Sequence, residues 1–221
     1  MGLPELLSIA PGVTAFIGGG GKTAMLRVLG EELARRGGRV LLCTTTKMYP
    51  FSDLPLAESR EAILRGERRL LCGGTLLPES GKLTAPPVPM AELAERFDYV
   101  LVEADGAAGR PLKAHAPHEP VIPPQANQTI LVAGASGFGR PIAQAVHRPE
   151  IYAALAGVSP EEAAAPEAEA RVIRKEALHQ RIYVNQVESR EALSQARRLA
   201  ALADCPVLAG SLREGVYEEC W

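Results

Sequence analysis

Residues 18 to 23 read Gly-Gly-Gly-Gly-Lys-Thr, and the types and order of these side chains suit them to holding an oxyanion. Successive backbone N–H groups can turn inward around an anion only where the chain takes positive φ angles and carries no Cβ atoms, which is what glycine allows. A helix starting directly behind such a turn adds partial positive charge from its N-terminus. In that arrangement Gly18, Gly19, Gly20 and Gly21 supply amides, Lys22 supplies a point charge for β and γ phosphates, and the Thr23 hydroxyl is a ligand for Mg²⁺. Measured against G-x-x-x-x-G-K-[ST], the run departs at one position, where Phe16 stands for the first glycine. The expected ligand is ATP or GTP with Mg²⁺.

A second group of candidates lies in Asp98-Tyr99-Val100-Leu101-Val102-Glu103-Ala104-Asp105-Gly106, where four apolar residues run into acid. Side chains alternate along a strand, so Glu103 and Asp105 fall on one side and make, with Thr23, a candidate metal set. Glu103 and Asp105 are also candidates for positioning an attacking water. Downstream, Arg110 and Lys113 sit in a proline-stiffened segment and are candidates for stabilising charge on a γ-phosphate or an anionic second substrate, with an ordinary solvated loop as the alternative. His115 and His118 have H-x-x-H spacing, but the sequence offers no third ligand. After a later apolar run, Asn185-Gln186-Val187-Glu188 echoes N-K-x-D, which makes Asn185 and Glu188 candidates for reading a purine base, with a polar turn as the alternative.

The elements needed to position these groups follow from hydrophobic periodicity. Strands are expected at 13–17, 39–43, 69–72, 99–103, 128–133, 181–184 and 206–209. Helices are expected at 23–36, 57–65, 90–96, 149–156 and 190–203. The first helix carries Met25, Leu26, Leu29 and Leu33 at helical spacing and stops at Gly37-Gly38. This alternation implies an α/β fold with three layers and a mostly parallel central sheet, the ligand lying at the strand C-termini. One domain over 1–221 is expected, with a helical insertion at 136–180, in which Pro160 suits a first turn and Pro166 interrupts the helix. Two stretches resist the scheme: 73–89, rich in Gly and Pro, and 106–124, which holds five prolines.

Composition bounds the partners. Lys plus Arg total 24 against 26 Asp plus Glu, a formal charge of -2, so no basic excess is present to neutralise a nucleic-acid backbone. There is neither a basic, apolar leader at residues 1–5 nor an apolar stretch of about 18 residues, so a cytoplasmic protein without membrane contact is expected. The four cysteines at 43, 72, 205 and 220 lack C-x-x-C spacing. The first three read as small core residues and Cys220 as an exposed tail thiol.

Taken together, these segments resemble the selenium-dependent molybdenum hydroxylase accessory proteins, the YqeC family. The resemblance rests on the run 18–23, on Thr44-Thr45-Thr46-Lys47, and on Glu103-Ala104-Asp105-Gly106 with Arg110-Pro111-Leu112-Lys113. His118-Glu119-Pro120, Gly139-Arg140-Pro141, His147-Arg148 and Asn185 continue it. It implies a P-loop NTPase-like fold and a role in maturing molybdenum-containing hydroxylases. The partners it implies are a purine nucleotide and a molybdenum hydroxylase or its cofactor-maturation proteins, with a homodimer as an allowed assembly. Two rival readings share the same loop: a small-molecule kinase, and a non-hydrolysing module that binds a phosphorylated molybdenum cofactor.

Overall fold

The computed structural model describes residues 2–220; Met1 and Trp221 lie outside the described residues. The chain divides into two compact units. The first holds the residues up to Phe16, Thr23–Gly106 and Val121–Thr129, and the second holds Ile17–Lys22, Ala107–Pro120 and everything from Ile130 onward.

The first unit follows the chain through α1 (Leu3–Leu6), β1 (Gly12–Gly18, up to Phe16), α2 (Lys22–Arg35, from Thr23 on), β2 (Val40–Thr44), β3 (Leu56–Ala57), α3 (Arg60–Arg65), β4 (Leu70–Gly73), β5 (Thr75–Leu77), β6 (Lys82–Thr84), α4 (Met90–Arg96) and β7 (Tyr99–Glu103). Its strands pair in parallel in the order β1-β7-β2-β4-β3, with Phe16 opposite Glu103 and Thr44 also opposite Glu103. Strands buried on both faces read as apolar runs rather than alternations, and every residue of β2 is buried. One face of this sheet packs Val13, Leu41, Cys43, Val100 and Val102 against Ile63, Leu93 and Phe97. The register brings the C-terminal ends of β1, β2 and β7 level with one another, so the residues that follow these strands emerge at one edge.

The second unit contains β8 (Leu112–Lys113), β9 (Ala126–Gly134, from Ile130 on), α5 (Ile142–Ala145), β10 (Val146–His147), α6 (Pro149–Ala156), α7 (Pro166–Glu176), β11 (Arg181–Asn185), α8 (Arg190–Ala200), β12 (Val207–Ser211) and β13 (Val216–Glu219). Here β9, β11 and β12 are parallel, and β13 runs antiparallel on the outer side of β12. The architecture is therefore α/β with mostly parallel strands, as the periodicity implies.

All seven expected strands form, and the differences lie where short elements escape periodicity. Ala57, expected to begin a helix, instead ends the two-residue strand Leu56–Ala57, and the helix starts only after Ser59, whose hydroxyl accepts the Ala62 N–H at 3.1 Å. Pro166 does not interrupt a helix but opens one at its first turn, where its missing N–H is of no consequence, and the segment around Pro160 is a turn. The Gly- and Pro-rich stretch after residue 73 contains the β5–β6 hairpin. The stretch after residue 106 contains β8, paired in parallel with β10. Cys220, expected to be exposed, is buried, and its N–H donates to the Val207 carbonyl at 3.0 Å. Cys43 and Cys72 are buried as expected, whereas Cys205 is half-buried.

Leu41 is fully buried in the face described above. Replacing it with Ala leaves a cavity in a packed sheet, so Leu41→Ala is expected to lower unfolding free energy by about 2–5 kcal/mol, read from urea denaturation with an unchanged slope.

Candidate functional site

In the second unit, the glycine run is a curled loop pressed against protein backbone. Gly18, Gly20 and Gly21 have φ of 95°, 68° and 110°. A Cβ would lie 2.4 Å from the Val132 carbonyl oxygen if placed on Gly18, 2.5 Å from the Pro111 oxygen on Gly19, and 2.3 Å from the Gly134 nitrogen on Gly20. The first three positions therefore need glycine for space as well as for conformation. The Gly19 N–H donates to the Val132 carbonyl at 2.9 Å and the Gly20 N–H to the Arg110 carbonyl at 3.3 Å. These two amides are thus spent on fixing the loop rather than left for an anion. The later amides, where α2 begins, are first-turn N–H groups without intrahelical acceptors.

Lys22 is buried and its ammonium donates back to the Gly18 carbonyl, which places a cation inside the curl of the loop. Asn185, at the end of β11, braces the same loop: its Nδ2 donates to the Gly20 carbonyl at 2.7 Å, and its Oδ1 accepts the Leu212 N–H at 3.2 Å. Both ends of the Asn185 side chain are therefore engaged within the protein.

The first unit builds the carboxylate end. Thr23 Oγ1 donates to Glu103 Oε2 at 2.7 Å, with Glu103 buried and Thr23 half-buried. The main chain at Glu103 is pinned from two sides. Its carbonyl accepts from Thr44 Oγ1 at 2.7 Å and from the Thr45 N–H at 3.2 Å, while the next residue, Ala104, donates its N–H to the Phe16 carbonyl at 2.9 Å. The turn after β2 is held by Thr46 N–H donating to Thr44 Oγ1 at 3.0 Å and by Thr45 Oγ1 donating to the Val121 carbonyl at 2.6 Å. The threonine run thus serves to aim Glu103. Lys47 beside it is exposed, and Asp105 is fully buried just past β7. A hydroxyl and a carboxylate are hard oxygen donors of the kind that take Mg²⁺ alongside phosphate oxygens, so the donor set fits that ion. Among the described residues, no three His, Cys, Asp or Glu side chains gather into a metal centre of their own.

A family model described as "YqeC protein" matches residues 14–150, a span that takes in the loop, the threonine turn and the Glu103 strand. The chain belongs to the YqeC family. The protein described as "Uncharacterized protein YqeC" of Escherichia coli (strain K12) is 35% identical over 161 residues, 68% of this chain and 63% of that protein. Similar solved structures include the signal recognition particle 54 kDa protein from Aeropyrum pernix K1 in complex with GDP. That likeness has a TM-score of 0.43 at 17% identity, covering 95% of this chain and 44% of the other. Another is the hydrogenase maturation factor HypB from Archaeoglobus fulgidus, with a TM-score of 0.42 at 14% identity, covering 96% and 87%.

The remaining candidates of this YqeC member lie in the second unit. Arg110 is exposed, and its guanidinium donates to the Gln144 carbonyl, while its own carbonyl holds Gly20. Lys113 is buried and pairs with Glu119 Oε2 at 2.7 Å, and Arg148 takes the other Glu119 oxygen. Burial pushes the Glu119 carboxyl up, but Lys113 and Arg148 outweigh it and hold the group below the usual carboxylate range. His115 donates its backbone N–H to Glu176 Oε1 at 2.7 Å and faces Glu176 Oε2 through Nδ1 at 2.8 Å; His118 is exposed. Sequence reasoning missed Glu176 as the His115 partner, because the two are 61 positions apart and no local spacing joins them. Glu188 accepts from Ser211 Oγ at 3.1 Å and from Arg213 at 2.7 Å. It lines an open cleft of about 310 Å³ with Ser136, Phe138, Gln186 and Gln195.

Two measurements test this arrangement. Gly20→Ala combines a backbone clash with a positive φ and is expected to cost at least about 2 kcal/mol in denaturant unfolding. Gly109→Ala, with φ of 73° but nothing within 4 Å of the new Cβ, is the milder control at about 1 kcal/mol. Burial pushes the Glu169 carboxyl on α7 up to about 8. The folded state then holds a proton that the unfolded chain releases, so stability falls as pH rises from about 4.5 to about 8 and levels off above. Glu169→Gln is expected to flatten that slope in melting temperatures taken from pH 5 to 9; an unchanged slope would place the titration elsewhere.

Proposed function

We propose that this YqeC family member is a P-loop nucleotide-binding protein that takes ATP or GTP with Mg²⁺, hydrolyses it, and acts as an accessory factor in maturing molybdenum hydroxylases. The observation that carries the nucleotide reading is the junction at Lys22-Thr23. A buried ammonium is folded into a glycine curl, and the next residue's hydroxyl is 2.7 Å from a carboxylate fixed at a strand end. Lys22 and the first-turn amides of α2 would neutralise the β and γ oxygens. Thr23 and Glu103 would hold Mg²⁺, with Asp105 as the further carboxylate of that set. When bound, the ion supplies charge neutralisation on the phosphoryl oxygens. Glu103 is also the group proposed to orient the attacking water.

Lys113, enclosed with Glu119 and Arg148, is assigned a positioning role in the segment that carries Arg110 and Pro111 against the glycine loop. That engagement counts against the kinase rival, which needs both cations turned toward an acceptor. Arg110 stays as the candidate for added positive charge. The hydroxylase client rests on the family resemblance and the cytoplasmic setting on the sequence; among the described residues no helix is long and apolar enough to cross a membrane.

Calorimetric titration with Mg·ATP and Mg·GTP, followed by phosphate-release analysis, tests the reading. Lys22→Ala is expected to weaken binding at least about ten-fold, in line with loss of a charge-assisted hydrogen bond, and Thr23→Ala to remove the Mg²⁺ dependence. Wild-type affinity in Lys22→Ala would overturn it.

A further inference from the structure

The cleft beside Asn185 has a composition that selects among bases. Asn185 ties β11 to the phosphate loop through the Gly20 carbonyl, and within three residues the chain delivers Gln186 and Glu188 to the cleft wall. Ser136 Oγ donates to Gln186 Oε1 at 2.6 Å, so the Gln186 amide oxygen is already used. Phe138 adds an aromatic ring to the lining of the cleft.

Glu188 in this wall accepts one donor on each carboxylate oxygen, from Ser211 at the end of β12 and from Arg213 in the turn that follows. A carboxylate has about four lone-pair sites. Ser211 Oγ occupies one on Oε1 and Arg213 one on Oε2, so each oxygen keeps one acceptor site and the pair keeps a fixed orientation. Two adjacent acceptors match two adjacent donors. Guanine presents N1–H and the N2 amino group side by side, whereas adenine presents a lone pair at N1, which a carboxylate repels.

We propose that this cleft takes a guanine base, with Glu188 as the specificity-determining residue and Ser211 and Arg213 as the groups that orient it. The inference rests on the phosphate-loop reading above and narrows its ligand to guanosine nucleotides.

Calorimetry with Mg²⁺ and GTP, ATP or xanthosine triphosphate, on wild type and Glu188→Gln, provides the test. Wild type should prefer GTP to ATP by about ten- to a hundred-fold, the range of a charge-assisted pair. In Glu188→Gln the amide oxygen accepts N1–H and the amide NH₂ donates to the C2 carbonyl of xanthine. That variant should lose GTP affinity and gain xanthosine triphosphate affinity by about ten-fold or more, a gain that a misfolded protein would not show. Equal GTP and ATP affinity in wild type, with both lost in Lys22→Ala, would overturn the base assignment while leaving the loop reading intact. Persistence of the GTP preference in Glu188→Gln would do the same. Absence of binding by any of the three nucleotides would remove both readings together, and the wild-type ratio decides the point even if the variant is unstable.

Discussion

The loop at residues 18–20 runs so close to neighbouring main chain that hydrogen is the largest substituent it can carry. Van der Waals exclusion against Val132, Pro111 and Gly134 sets where the first turn of α2 begins, and hence where Lys22 and Thr23 stand. Two of the loop's own amides are consumed in holding this position. The cost is fewer donors for a ligand, and the gain is a loop whose shape does not depend on one.

Buried charge in the second unit is paired at two places. Glu119 sits between Lys113 and Arg148, and His115 contacts Glu176 through both its amide and its ring. Such groups are costly to bury alone and are tolerated when every oxygen is engaged. Glu103 accepts the Thr23 hydroxyl through its carboxylate, while its main chain is held by Thr44 and Thr45. That combination suits an oxygen that is to share a divalent ion.

How much of this could be read from residues alone varies with the range of the interaction. The seven long strands and the helices 90–96 and 149–156 were legible because burial on a sheet or helix face imposes period and length on the sequence. The glycine loop and the β7 carboxylate were legible because both are local in sequence. What was not legible is pairing at a distance. Asn185, a candidate base reader on sequence, clasps Gly20, 165 positions away, and Lys113, a candidate for stabilising phosphate charge, is enclosed with Glu119, which also takes Arg148, 29 positions further on. Very short strands such as 56–57 and 112–113 carry too few residues to show a period, and their partners, β4 for the first and the equally short β10 for the second, lie elsewhere in the sequence.

The Asn185 contact bears on the direction in which the loop presents its dipoles. A trans peptide unit is planar, with carbonyl and N–H on opposite sides. With the Gly20 oxygen drawn toward Asn185, the hydrogen of the same unit, on Gly21, must face the other way. One amide on a distant strand thereby locks the polarity of a peptide that two glycines would otherwise let flip, so the Gly21 N–H keeps a single direction without help from any ligand.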